Sequence, residues 1–169
     1  MYPAQKLPNL VPFISRAKLL SMKFITPVDN DYLQSLGRAT YNFAYLESQM
    51  VWVANKLKPG FVMSVRRLTA GRIAKKITDL VSLDTVPIEA RQELISLASS
   101  FESLVERRNK LVHANPCTAS DGKQRLTYSG PEGILWQIED IEQFALDCEV
   151  ASRIGNVLYY GILKDLASK

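Results

Sequence analysis

The 169-residue sequence is poor in the residue types that build metal and disulfide sites, having one histidine, His113, and two cysteines, Cys117 and Cys148. Two cysteines exclude a multi-disulfide scaffold and a four-cysteine zinc site. One histidine excludes any three-histidine metal site within the chain, so neither a resident metal nor a cofactor is expected. No apolar run approaches the ~18–20 residues needed to cross a bilayer. The first 24 residues are mildly apolar but are broken by Pro3, Pro8, Pro12 and several basic residues. They lack the continuous apolar stretch and small-residue cleavage site of a secretory signal, which predicts a cytoplasmic protein with reduced thiols.

What is present describes an ordinary globular chain, 47% apolar and 22% charged, with the length of one domain and a proper core. Its charge is unevenly spread. Residues 1–76 hold 12 Lys/Arg against 3 Asp/Glu, whereas residues 77–169 hold 9 against 14. Arg66, Arg67, Arg72, Lys75 and Lys76 form the densest basic stretch, with no acid before Asp79. Such a bias suits a polyanion such as nucleic acid, and it equally describes a solvated helix face balanced by acidic neighbours.

Helical periodicity dominates the pattern. Residues 1–28 read as an extended or partly helical N-terminal arm punctuated by prolines, followed by a single helical domain over 29–169. Asp29-Asn30-Asp31 offers caps for a first helix over about 31–57, ended by Pro59-Gly60. Leu36, Thr40, Phe43, Glu47, Met50, Ala54 and Leu57 step by 4 and 3 along it, as a bundle seam does, with Glu47 the charged exception. A second helix over about 64–82 turns Val65, Leu68, Ile73, Ile77 and Leu80 inward. Pro87 suits the first turn of a third, about 87–113, whose seam is Leu94, Leu97, Phe101, Leu104, Arg108 and Leu111. Asn115-Pro116 stops it.

Cys117–Gly122 reads as a turn-rich loop. RLTY and ILWQ, flanking Ser129–Gly133, read as a β-hairpin over about 124–138. Asp140 and Gln143 predict a capping box opening a fourth helix that runs to about 166. Its buried stripe is Ile141, Phe144/Ala145, Cys148, Ile154/Gly155, Leu158 and Ile162. The expected fold is therefore all-α, an up-and-down four-helix bundle with a short β-hairpin insert before the last helix.

Charges in apolar seams cost several kcal/mol unless paired, so Glu47 and Arg108 need a reason. They can satisfy each other across the bundle, or one seam opens toward a cleft. Glu102, Glu106, Asn109 and His113 share one polar helix face, and Arg108 has the reach to join it. A lone His at a helix C-terminus also serves as a cap to the dipole. Taken together, Arg108, Asn109 and His113 form a metal-free kit for phosphodiester chemistry. Histidine moves protons near neutral pH, and arginine holds phosphate oxygens with a fixed fork of donors. A second acid/base is missing from one chain, and a symmetric dimer would supply it.

Glu-Arg-Arg-Asn-Lys-Leu-Val-His, residues 106–113, late in a long helix, resembles the Arg-x(4–6)-His motif of HEPN-domain proteins. Arg108 and His113 match it with four intervening residues, and Asn109 is the polar residue preferred after the arginine; Arg107 fits with five. The resemblance spans roughly residues 31–166, with its specific residues confined to 108–113. It implies a homodimeric, metal-independent endoribonuclease of the toxin or antiviral kind. His113 would move the proton of the ribose 2′-hydroxyl or of the leaving 5′-oxygen, Arg108 would bind the scissile phosphate, and a 2′,3′-cyclic phosphate would result. Glu47 is similar in placement to an acidic residue that supports the motif arginine in some members. The implied partners are RNA, held by residues 66–76, a second copy of the chain, and an antitoxin or regulatory protein. One toxin subclass has a modified tyrosine two residues after the histidine; Asn115 stands there, so a modifying partner of that kind is not expected.

Two other classes compete. A non-catalytic HEPN-like module would bind a nucleotide, RNA or protein without turnover. A structural bundle would use Trp52, Trp136, Tyr41, Tyr45 and Tyr159-Tyr160 as interface anchors, although aromatics at helical spacing are more commonly core. Thiol catalysis by Cys117 lacks supporting partners, and Cys148 reads as packing.

Overall fold

A computed structural model of the chain describes residues 28–83, 86–130, 133–164 and 166. The N-terminal arm read over residues 1–28 lies outside them except for Val28. The described chain is mostly helical, with a small antiparallel sheet before the last helix. Its elements are α1 (Asn30–Leu57), α2 (Phe61–Val65), α3 (Ala70–Val81), α4 (Ile88–Val112), β1 (Asn115–Thr118), β2 (Gln124–Tyr128), β3 (Ile134–Trp136) and α5 (Ile138–Tyr160). No described helix is long and apolar enough to cross a membrane.

The first and third long helices lie where periodicity and stop signals place them, but the second is broken. Gly60 holds φ 85°, the left-handed conformation glycine adopts most readily, and so turns the chain after Pro59 into α2. Residues 66–69 then leave the helix, and Thr69, in extended conformation, is the N-cap of α3. Arg66 and Arg67 therefore sit in a link, and Arg72, Lys75 and Lys76 on α3.

α1 buries Tyr32, Ser35, Ala39, Phe43, Leu46, Met50, Val53 and Ala54. The expected seam shares Phe43, Met50 and Ala54 with this stripe but is rotated from it. Thr40 is exposed, and Leu36, Glu47 and Leu57 are only half-buried. A charge on the margin of a stripe keeps access to water, which explains how Glu47 is tolerated.

The expected up-and-down order of four helices does not hold for the first and last long helices. Ser35 Oγ donates to Glu142 Oε1 at 3.1 Å, Asn42 Nδ2 to the Ala145 carbonyl at 3.0 Å, and Asn156 Nδ2 to Tyr45 Oη at 3.4 Å. These partners advance together, so α1 and α5 run parallel. α4 runs opposite to both: Arg107 meets Asp147 early in α5, and Leu97 lies against Gly155 near its end. Simple up-and-down alternation would make α1 and α5 antiparallel.

The insert is larger than the hairpin read from sequence. Asn115–Thr118 pairs with Gln124–Thr127 as an added edge strand, giving the order β1-β2-β3. Pro116 lacks a donor and is accommodated because β1 is an edge. Gly122, at φ 80°, closes the β1–β2 turn. α5 does open on a capping box, but one turn earlier than expected. Gln137 is the N-cap and Asp140 occupies N3, accepting from the Gln137 N–H at 3.1 Å. The helix ends at Tyr160 rather than 166, leaving Ile162 beyond it and half exposed.

Tyr32 ties the sheet to the helices. Its buried hydroxyl donates to the Trp136 carbonyl and accepts the Leu126 N–H, both at 3.0 Å. The Arg125 guanidinium lies 4.9 Å from the centre of its ring. Burial pushes the Tyr32 phenol above its ordinary value, so it remains a donor. Tyr32→Phe leaves two buried backbone groups without that partner, at about 1–3 kcal/mol. Thermal denaturation should show a lower Tm with the helical circular-dichroism signal retained; an unchanged Tm would remove Tyr32 from this role.

Candidate functional site

The candidate site is built on the C-terminal half of α4 where it passes α1. Phe43 of α1 stacks on Phe101 of α4 and Phe144 of α5, with ring centres 6.3 and 6.2 Å apart. Two consecutive arginines lie on this aromatic core. Arg108 sits over Phe43 at 5.5 Å and Arg107 over Phe144 at 5.3 Å. About 100° of helix rotation separates them, so they face different neighbours.

Arg107 is ion-paired with Asp147 of α5, whose other oxygen accepts from Gln143 Nε2 at 2.8 Å. Arg108 donates from Nη1 to Asn109 Oδ1 at 3.1 Å. It lines a pocket of about 130 Å³ with Thr40, Phe43, Ala44, Glu47, Leu111, Val112 and Phe144. Glu47 and Arg108 thus share a pocket and feel each other's charge, but no ion pair within 4 Å joins them among the described residues. Burial raises the Glu47 carboxyl above its ordinary range, and Arg108 only partly offsets this.

His113 is the C-cap of α4. Its backbone N–H bonds the Asn109 carbonyl at 3.1 Å, while its side chain is exposed and makes no hydrogen bond to another described residue. It is not among the residues lining the Arg108 pocket. One chain therefore brings together Glu47, Arg108 and Asn109, leaves His113 at the solvent edge of the same helix end, and commits Arg107 elsewhere.

The basic residues Arg66, Arg67, Arg72, Lys75 and Lys76 are all exposed. Arg66 shares a groove of about 300 Å³ with Glu47 and Trp52, so the basic link reaches the site's flank. Lys76 lines a different groove with Lys58 and Asp79. Cys148 is fully buried and its thiol is pushed up to about 12, chiefly by burial, which fits packing rather than nucleophilic chemistry. Cys117 is half-buried on β1. No three His, Cys, Asp or Glu residues among those described are grouped to hold a metal ion.

Sequence reasoning offered the α1 aromatics as interface anchors but favoured the core for them. Trp136 is core at 4% exposure, but Tyr41, Tyr45 and Trp52 are 71, 47 and 48% exposed. Their phase against the buried stripe was the available signal. No protein-family model, curated protein or solved structure matches the chain significantly.

Glu47 generates a pH prediction. In the unfolded chain its carboxyl titrates near ~4.3, and in the folded chain higher. Below the unfolded value both states are protonated and the burial cost is absent; it grows as pH rises from the unfolded toward the folded pKa and is complete above the latter. Glu47→Gln should therefore gain Tm relative to wild type between about pH 4 and pH 7. A relative loss over that interval would mean that attraction to Arg108 outweighs desolvation.

Proposed function

We propose that the protein is a metal-independent endoribonuclease of the HEPN type, with a helical HEPN-like domain extended by the three-stranded insert. The observation that carries this reading is the half-buried Arg108, held by Phe43 and Asn109 at the Glu47 pocket, on a helix that ends in exposed His113. A guanidinium fixed on one side and without a contact ion pair retains donors for a phosphate.

In this mechanism Arg108 and Asn109 hold the scissile phosphate. A His113 imidazole takes the 2′-hydroxyl proton as that oxygen attacks phosphorus. The 5′-oxygen leaves and accepts a proton from an imidazolium, giving a 2′,3′-cyclic phosphate and a free 5′-hydroxyl. Both proton transfers at once require two imidazoles, hence two chains. The apolar row Leu146, Val150, Ile154 and Val157 on α5, exposed beside the Arg107–Asp147 pair, offers a surface for a second copy. Val150→Lys should accordingly shift the molar mass measured by light scattering toward the monomer. The basic residues 66–76 hold the RNA backbone outside the cleft, and a cytoplasmic antitoxin or regulatory protein would restrain the activity.

The test is cleavage of labelled RNA in EDTA. Wild type should cut, while Arg108→Ala and His113→Ala should each lose cleavage and retain the helical signal. Arg107→Ala should lose stability through its broken ion pair and still cut. Cleavage by His113→Ala at the wild-type rate would defeat this mechanism. Absence of cleavage by a folded wild-type dimer would favour the second reading, a nucleotide-, RNA- or protein-binding module, which the solvent-facing His113 and the single imidazole per chain also suit.

A further inference from the structure

The outer face of α1 is built unlike the solvent face of an ordinary helix. Tyr41, Tyr45 and Trp52 fall within about 40° of one another around the axis, opposite the stripe that packs on α4 and α5. All three rings are exposed, and Ser48 fills the gap between the second and third. Arg38, one turn before Tyr41, and Lys56, one turn after Trp52, bracket the row; Asp31 lies two turns beyond Arg38 on the same side of the helix, and Glu47 lies off the row. Lys56 is held by the Tyr159 ring and the Lys164 carbonyl, so its charge is fixed in place. Arg66 shares a groove with Trp52, and Arg153, paired with Glu149, shares another with Tyr41 and Tyr45.

We infer that this face is a stacking track for an unpaired nucleic-acid strand, with the bases on Tyr41, Tyr45 and Trp52 and the phosphates toward Arg38, Arg66 and Lys56. This deepens the ribonuclease reading and rests on it for the identity of the natural strand as RNA. Charge complementarity selects the occupant: exposed aromatics bracketed by Arg38, Lys56 and Arg66, with the Glu149 carboxylate of the neighbouring groove already paired to Arg153 and Glu47 at the margin of the other, suit a polyanion that has flat apolar faces. The spacing selects its form. Along the axis the rings are about 6 and 10 Å apart, wider than the ~3.4 Å of stacked bases, so each ring receives a base separated from its neighbours. A duplex buries its base faces and has none to offer. Sequence tolerance follows, because every base has such a face. The groove containing Trp52 and Arg66 also contains Glu47, so a strand on the track leads toward the Arg108 pocket.

The experiment measures binding without cleavage, using a fluorescein-labelled 12-nucleotide oligo-dT, which has no 2′-hydroxyl, beside a 12-base-pair DNA duplex. The single strand should bind more tightly. Tyr41→Ala, Tyr45→Ala and Trp52→Ala should each weaken it by about five- to a hundredfold, and Trp52→Phe should recover most of the loss. Trp52→Ala should leave the salt dependence unchanged, whereas Arg66→Ala should reduce it. Oligo-dT should quench tryptophan fluorescence in wild type, and the quenching should vanish with Trp52. Unchanged affinity in all three alanine variants would overturn the proposal, as would equal affinity for duplex. Dissociation of a dimer by these variants without loss of oligonucleotide affinity would also overturn it and give the face to a second copy. The two readings fail separately. Lost oligo-dT binding with a wild type that cuts no RNA keeps the track and removes the nuclease, and cleavage with unaltered binding does the reverse.

Discussion

The contact of Phe43 with Phe101 and Phe144 is the constraint on which the rest of the described structure depends. One ring from α1, one from α4 and one from α5 meet with almost no exposure, and this fixes the three long helices against each other. Burial of three aromatic side chains supplies several kcal/mol. The same rings present the faces on which Arg108 and Arg107 rest. A guanidinium over an aromatic face keeps its in-plane donors free to point outward, so the core positions the cations without consuming their hydrogen-bonding capacity.

From that shared base the two arginines diverge. Arg107 has a carboxylate at contact distance, and Gln143 in turn holds that carboxylate, so its charge is satisfied within the fold. Arg108 has only the neutral Asn109 oxygen at hydrogen-bond distance and a carboxylate farther off that burial makes reluctant to ionise. An incoming phosphate would find little competition at Arg108 and a resident anion at Arg107. Two residues adjacent in sequence are thereby sorted by one helical step into a cation with a contact carboxylate and one without.

The legible parts of the fold are those set by local chemistry. Pro59-Gly60, Pro87 and Asn115-Pro116 mark helix ends because each restricts backbone angles directly, and the 3.6-residue period located α1, α4 and α5. What escaped was decided at a distance. The break at residues 66–69 carries no proline or glycine, β1 contains a proline and pairs only because β2 is beside it, and helix direction is set by contacts between residues far apart in sequence, such as Arg107 with Asp147 at 40 positions and Asn42 with Ala145 at 103. In the site, Glu47, Arg108, Asn109 and His113 could be singled out as charged or polar groups on helix faces. Their distribution between pocket, margin and solvent edge could not, because it follows from a stripe rotated by a fraction of a turn. The family resemblance came from residues 108–113 alone, and its functional content remains the proposal stated above.

That rotation also explains why α1 carries so much. With the stripe centred near Leu46 and Met50 rather than on Glu47, the helix has three faces instead of two. The buried face holds Phe43, the margin holds Glu47 beside Arg108, and the outer face holds Tyr41, Tyr45 and Trp52. Had the seam passed through Glu47 as sequence spacing suggests, the carboxylate would sit in the core and need a contact partner. Arg108 would then be that partner, and the pocket would close. Keeping Glu47 half-buried leaves both groups at a solvent-connected edge, where the basic 66–69 link and the aromatic outer face converge. A helix that only filled a core would have no use for this phase.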